Sequence, residues 1–240
     1  MKTIKAMAVA LALVGSMAYA RGASLVVDNP ENRTYLGARV ALDISSAANG
    51  GAYYSNKPGF SLGAVYHIPV VANLYFEPGL SMFYNVFGTM YYATETILLP
   101  EVNDAGESTQ DVVYQIDGSV RNFGFRVPLH VGYHFDFAEN MRVSVFTGPQ
   151  FNASLLARYH QNRYVTPSGR VEEGTSGSVF GTGGFKHFDA QWNFGVGLDY
   201  GNYMVALSGS LGMTRLRDAY GPFQKNMRRN LFSITLGYNF

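Results

Sequence analysis

The 240-residue chain has no cysteine, one tryptophan and only 15% charged residues. Without cysteine it is neither a disulfide-stapled domain nor a thiolate metal site. A formal net charge of +1 gives none of the basic surplus that nucleic-acid binding needs, so no nucleic-acid partner is expected. After the first twenty residues no run approaches the roughly 20 apolar residues of a transmembrane helix. No H-E-x-x-H motif is present, and no cofactor is implied. What the chain has in quantity is glycine, at 27 residues, and tyrosine and phenylalanine, at 17 each. That mixture suits strands with one bulky and one small face.

The N-terminus predicts secretion. Lys2 and Lys5 precede the apolar run Ala6 to Val14, and Ala18-Tyr19-Ala20 supplies an A-x-A cleavage site. Residues 1–20 therefore read as a signal peptide cleaved after Ala20, the apolar run being too short to span a membrane. Losing both lysines takes the formal charge from +1 to −1. Residues 21–34 form a short periplasmic segment, too small for a domain, and 35–240 read as a single unit.

That unit is built of strands. Phe232, Ile234, Leu236, Tyr238 and Phe240 alternate with Ser233, Thr235, Gly237 and Asn239, the period of two that gives a strand one greasy and one polar face. The same pattern predicts strands at roughly 35–45, 59–68, 74–87, 121–135, 141–155, 187–200, 203–214 and 230–240. Their greasy face carries residues such as Leu36, Val40, Phe60, Leu62, Phe123, Phe125, Trp192 and Phe194, with Thr147 as a polar exception. The opposite face is rich in Gly, Ser and Asn. In a soluble barrel the greasy face would fill the interior, but an eight-stranded bore barely holds its own side chains. The small face must point inward and the bulky face must meet hydrocarbon. Short connections at 69–73, 136–140 and 201–202 alternate with long ones at 46–58, 88–120, 156–186 and 215–229. The prediction is an all-β fold: an eight-stranded antiparallel up-and-down transmembrane β-barrel, turns periplasmic and loops outside.

The terminal strand, ending on Tyr238 and Phe240, resembles the assembly signal of outer-membrane β-barrels. This resemblance implies recognition by the barrel assembly machinery and a place in the outer membrane. The segments Asn122–Phe135 and Val145–Leu155 add a second likeness. Val127-Pro128-Leu129 followed by Gly148-Pro149 resembles the PorT-like family of small outer-membrane barrels of Bacteroidetes. That family implies a barrel of OmpA/OmpX type, and its named member is tied to protein secretion. Arg126, where an acidic residue is expected, and the long acidic second loop depart from the pattern.

Several residues invite chemistry. Gly59-Phe60-Ser61-Leu62-Gly63 matches the G-x-S-x-G elbow, but the alternation runs straight through it where the elbow needs a sharp turn. His130 and His134 share a strand face about 13 Å apart, too far for one metal ion, and are expected to hydrogen-bond in the lumen. Inward charges fall at Arg39, Asp43, Glu77, Arg126, Arg142, Asp189 and Asp199, with Arg39, Glu77, Arg142 and Asp199 in the periplasmic half. They predict a mutually neutralising network that fills the bore; the alternative is a narrow pore.

The loops carry charge of opposite sign. Loop 88–120 has Glu95, Glu101, Asp104, Glu107, Asp111 and Asp117 without a base, while loop 215–229 has Arg215, Arg217, Lys225, Arg228 and Arg229 against Asp218. The two loops could meet over the mouth, or the bases could face lipopolysaccharide phosphates. Tyr91, Tyr92, Tyr159, Tyr164 and Phe180 suggest a protein-binding tip. An outer-membrane acyltransferase site assembled from His187, Asp189 and Ser178 is a third possibility that no spacing selects. The expected function is a non-enzymatic outer-membrane barrel with a structural or binding role. Its expected partners are outer-membrane lipid or lipopolysaccharide and a protein at the extracellular loops; the alternative is an accessory barrel of a secretion or transport machine.

Overall fold

The structure, a computed structural model, describes residues 33–48, 54–98, 109–138, 140–166, 171–181, 184–218 and 226–240. Expectations for residues 1–20 and for 21–32 lie outside these. Nine strands are present among the described residues: β1 (Tyr35–Ala48), β2 (Tyr54–Val71), β3 (Leu74–Leu98), β4 (Thr109–Ala138), β5 (Met141–Thr166), β6 (Val171–Ser178), β7 (Phe188–Tyr200), β8 (Tyr203–Gly212) and β9 (Arg228–Asn239). Eight of them, all but β6, form a closed antiparallel ring, with β9 pairing back onto β1 from Gly37↔Asn239 to Ala48↔Arg228. Closure leaves no edge within the ring, which is what a lipid environment demands of strands.

The faces are inverted relative to a soluble barrel. Leu36, Val40, Leu42, Phe60, Leu62, Phe151, Phe194, Val196 and Leu236 are exposed on the outside. Asp43, Asn85, Asn122, Asn152, Gln191 and Ser233 are buried in the bore. Thr147, the polar exception on the outer face, accepts a 2.8 Å hydrogen bond from the Trp192 indole N–H and donates one of 2.9 Å to the Asn193 carbonyl. Neither polar group is left unpaired against lipid, where each would cost several kcal/mol. At the end with short turns, Tyr200, Tyr203, Tyr238 and Phe240 are exposed, with Tyr203–Tyr238 and Tyr238–Phe240 rings 5.3 and 5.1 Å apart. This is an interfacial aromatic belt.

The short turns are made by Ala72-Asn73 and Gly201-Asn202. Gly201 takes φ 55°, a conformation that suits a residue without Cβ. Asn73 and Asn202 tie the turns down through side-chain bonds to the carbonyls of His134 and Asn239.

At the opposite end the strands are longer than the alternation predicts. Within 88–120, expected to be a loop, the described residues 88–98 and 109–120 continue the β3–β4 ladder from Gly88↔Ser119 out to Leu98↔Thr109. Likewise 156–166 continue β5 and 171–178 form β6, paired from Arg158↔Ser178 to Tyr164↔Val171. With the β4–β5 ladder running to Val113↔Thr166, these extensions make a four-stranded sheet standing beyond the ring. Its two faces are not divided into apolar and polar, so the period-two signal vanishes although Thr and Tyr keep a strand-forming composition.

Candidate functional site: the filled lumen and the outer end

The bore is filled in two tiers. In the outer tier Arg126 meets Asp43 at 2.9 Å, and Arg229 meets Asp189 at 2.6 Å. Asn152 joins the pairs, accepting from Arg126 Nε at 3.2 Å and donating to Asp189 at 3.2 Å. Ser233 donates to Asp43 at 2.6 Å, and Arg126 donates to Ser61 at 3.3 Å. The guanidinium groups of Arg126 and Arg229 lie 5.4 and 5.0 Å from the centre of the buried Phe83 ring. Cation–π attraction adds to ion pairing there. Ser61, the serine of the G-x-S-x-G match, is thus a lumen hydroxyl on straight strand β2, with no elbow around it.

The periplasmic tier is looser. Arg39 reaches Glu77 at 3.6 Å and donates to Asn239 at 2.8 Å, while Asn239 reaches Asp199 at 3.4 Å. Arg142 is half-buried and stands opposite Asp199 in the β5–β7 register. Gly37 and Gly237 make room for Arg39, whose guanidinium occupies the space a side chain at either position would need. Tyr35, His67, Tyr75 and His134 stack through successive centroid distances of 4.3, 4.5 and 4.4 Å. His130 lies against Phe146 at 4.9 Å. Ring packing holds both His130 and His134: His130 Nε2 and the two ring nitrogens of His134 lack the expected hydrogen bond among the described residues. A cavity of about 90 Å³ separates the tiers, bordered by Arg39, Glu77, Arg126 and Gln150. No group of metal-ligating side chains occurs among the described residues.

An apolar cap closes the outer end. Phe87 and Val120 on the strands pack with Phe185, Leu216 and Met227 from the connections, all nearly fully buried. Backbone bridges Phe180↔Phe185, Phe185↔Arg217 and Arg217↔Met227 hold these segments together.

Among the bases expected to form one loop cluster, the structure divides the described ones. Arg229 is 1% exposed and belongs to the outer lumen tier, and Arg217 is 6% exposed within the cap. Arg215 and Arg228 are exposed; Arg215 lies 3.9 Å from Asp218, which also binds Lys186 at 2.9 Å. Lys225 lies outside the described residues. Arg229 was legible in principle: carrying the β9 alternation one step before Leu231 points its side chain inward. With it the bore holds Arg39, Arg126, Arg142 and Arg229 against Asp43, Glu77, Asp189 and Asp199, a balanced set.

Glu95 on β3 pairs with Arg163 on β5, and Arg163 also lies 3.5 Å over the Tyr114 ring. Glu101, Asp104 and Glu107 lie outside the described residues. In this projecting sheet burial pushes the Tyr91 phenol pKa up, so it stays neutral at physiological pH. The three residues of the possible acyltransferase site are engaged separately. His187 Nδ1 contacts the Ser154 carbonyl at 3.0 Å, Asp189 holds Arg229, and Ser178 Oγ accepts from the Phe180 N–H at 3.2 Å.

A closed antiparallel ring with an apolar exterior, a polar bore and an aromatic belt defines an outer-membrane β-barrel. The family model "Outer membrane protein beta-barrel domain" matches residues 31–216, and the chain belongs to this family. Membership places the protein in the outer membrane. Among solved structures, the chain is similar to Ail, the attachment invasion locus protein of Yersinia pestis, at 12% identity and TM-score 0.35, over 86% of this chain and 97% of that one. Neisserial surface protein A gives 13%, 0.36, 86% and 97%. The N-terminal barrel domain of Pseudomonas aeruginosa OprF gives 14%, 0.34, 87% and 100%. Comparison with curated proteins yields no significant match.

Proposed function

We propose that this outer-membrane barrel is a non-enzymatic scaffold whose filled, capped bore holds a rigid extracellular sheet for binding a protein partner. The observation that carries this reading is the continuation of β3, β4 and β5, with β6, into a sheet beyond the ring. Its aromatic and polar surface includes Tyr92, exposed on one face, with Tyr91 and Arg163 half-buried and Tyr114 buried beneath the Arg163 guanidinium. Tyrosine and arginine are the residues that most often anchor protein interfaces. Sheet order also suits binding, because strands fix side-chain positions better than loops do.

Three measurements test it. The purified protein in a planar bilayer should show no large steady conductance, because side chains occupy the bore. Joining Met90 to Asp117, its register partner, through an Asn-Gly turn should leave a heat-modifiable barrel. On cells, a photo-crosslinker at Tyr92 in the full-length protein should give a discrete protein adduct. Steady conductance, or a full-length protein that cross-links only lipid, would overturn the reading.

A second reading, an accessory barrel of a secretion or transport machine, is favoured by the PorT-like resemblance. Its motif residues are neighbours, Pro128 facing Gln150 beside Gly148-Pro149 on the β4–β5 ladder. Stable co-purification of periplasmic components with the protein trimmed at Met90–Asp117 would favour this second reading over the first. Altered lipid A acyl chains in a deletion strain would instead argue for an enzyme.

A further inference from the structure

Where β4 and β5 leave the apolar band, Arg121 and Arg158 stand directly opposite one another on the outer wall. Both are exposed, and among the described residues neither has an acidic partner. Like charges facing each other across an antiparallel pair are unfavourable, and an anion held between them reverses the sign of that interaction. His160 lies two residues beyond Arg158 and so shares its face. Beneath these bases Tyr84, Phe123 and Leu156 form an apolar floor, and the two levels border one cleft of about 700 Å³.

The height of the cleft decides what reaches it. On β4 the outward apolar residues run from Phe135 to Phe123, roughly 40 Å along the strand at ~3.3 Å per residue. With the ~40° tilt usual in such barrels, this spans roughly 30 Å, the lipid-facing band of about 25 Å together with the Tyr133–Phe135 ring pair at its periplasmic edge. Arg121 is the next outward residue and therefore sits at the headgroup level of the outer leaflet. A soluble protein in the outside water does not reach Phe123 and Leu156, whereas a lipid touches both levels at once.

We propose that this cleft binds the phosphorylated headgroup of an outer-leaflet glycolipid, the lipid A part of lipopolysaccharide. Arg121 and Arg158 bind a phosphate through their planar forks, and an acyl chain lies on Phe123 and Leu156. The site is on the barrel wall, away from the bases of 215–229, and is independent of any partner bound by the projecting sheet.

Native mass spectrometry of the full-length protein in detergent, titrated with bisphosphorylated lipid A, tests the assignment. The Arg121→Gln/Arg158→Gln double variant should bind at least about tenfold more weakly than wild type. Lipid A stripped of phosphate should bind wild type as weakly as it binds that variant. Arg121→Lys/Arg158→Lys, which keeps charge but not the fork, should fall between them. Lys186→Gln, an exposed base elsewhere at the outer end, should bind as wild type does. Should the glutamine variant lose its heat-dependent gel shift, the lysine variant and the phosphate-free lipid read the same property in a folded barrel. Equal affinity of wild type and the double variant, or of the two lipids, would overturn the proposal. Full displacement by millimolar inorganic pyrophosphate would show a free-phosphate site and overturn the lipid assignment.

Discussion

Asp189 with Arg229 in the outer half of the lumen, and Glu77 with Arg39 in the periplasmic half, face the same bore but are held differently. The outer pair closes to 2.6 Å with both side chains almost wholly buried, 1% and 2% exposed. Asn152, Gln191 and the ring of Phe83 crowd around it. The periplasmic pair is 3.6 Å apart and 9% and 11% exposed. Arg39 also has Asn239 to bind, and His67 stands 3.5 Å from the Glu77 carboxylate. Proximity to the apolar cap accounts for the difference. Under Phe87, Leu216 and Met227 charge finds no solvent, and Arg229, whose Nε and Nη1 have no hydrogen-bond partner among the described residues, depends on the Asp189 carboxylate at Nη2. Nearer the turns, stacked rings occupy the bore and the charges have alternative partners. The outer tier is a lock and the inner tier a filler.

The largest expected effect follows from that contrast. Asp189→Ala leaves Arg229 buried without its carboxylate, a loss of roughly 3–5 kcal/mol. The temperature at which the unboiled barrel gives up its faster gel mobility should fall markedly. Asp189→Asn, which can still accept a hydrogen bond, should lose less.

Glu77→Ala should cost about 1–3 kcal/mol, since Arg39 retains Asn239 and only one acceptor is removed. The same gel-shift melting assay ranks the two variants directly. A drop for Glu77→Ala as large as that for Asp189→Ala would break the distinction between the tiers.

The smallest effect is expected outside the ring. Glu95 in the projecting sheet is 54% exposed and its partner Arg163 is 30% exposed. Glu95→Ala should therefore change barrel stability by less than about 1 kcal/mol, and the effect should shrink as salt is added. A melting shift comparable to Glu77→Ala would mean that the sheet and the ring unfold as one unit.

Legibility in the sequence tracked the sharpness of the solvent boundary. Inside the membrane one face of each strand meets hydrocarbon and the other meets a crowded bore. Leu36 to Ile44 or Phe232 to Phe240 therefore announce strand, facing and register by composition alone. Beyond the membrane Gly88–Leu98 and Thr109–Val120 carry polar, charged and aromatic residues without sorting them by face, and the alternation that marks a strand fades. The β6 strand, Val171–Ser178, with three glycine or serine residues at Gly174, Ser176 and Gly177 before its terminal serine, carries even less of that signal. Arg229 shows the same boundary from the other side. Its place beside Arg228 groups it with the loop bases, yet its position in the two-residue period sends it into the lumen.

The sequence by itself determined the ring: eight alternating segments, an inward face small enough for a narrow bore and an outward face that only lipid can cover. It also placed every lumen charge except Arg229 on its strand, because parity along a strand is a local property. Which charges touch was decided only by the tertiary structure. Asp43 and Arg126 lie 83 residues apart, and Asp189 and Arg229 lie 40 apart, so ring closure and strand stagger choose their pairing. The same closure brings Phe185, Leu216 and Met227 over the bore and sets Arg121 against Arg158 on the wall. Those contacts depend on how far each strand slides past its neighbour, which no single strand's pattern records.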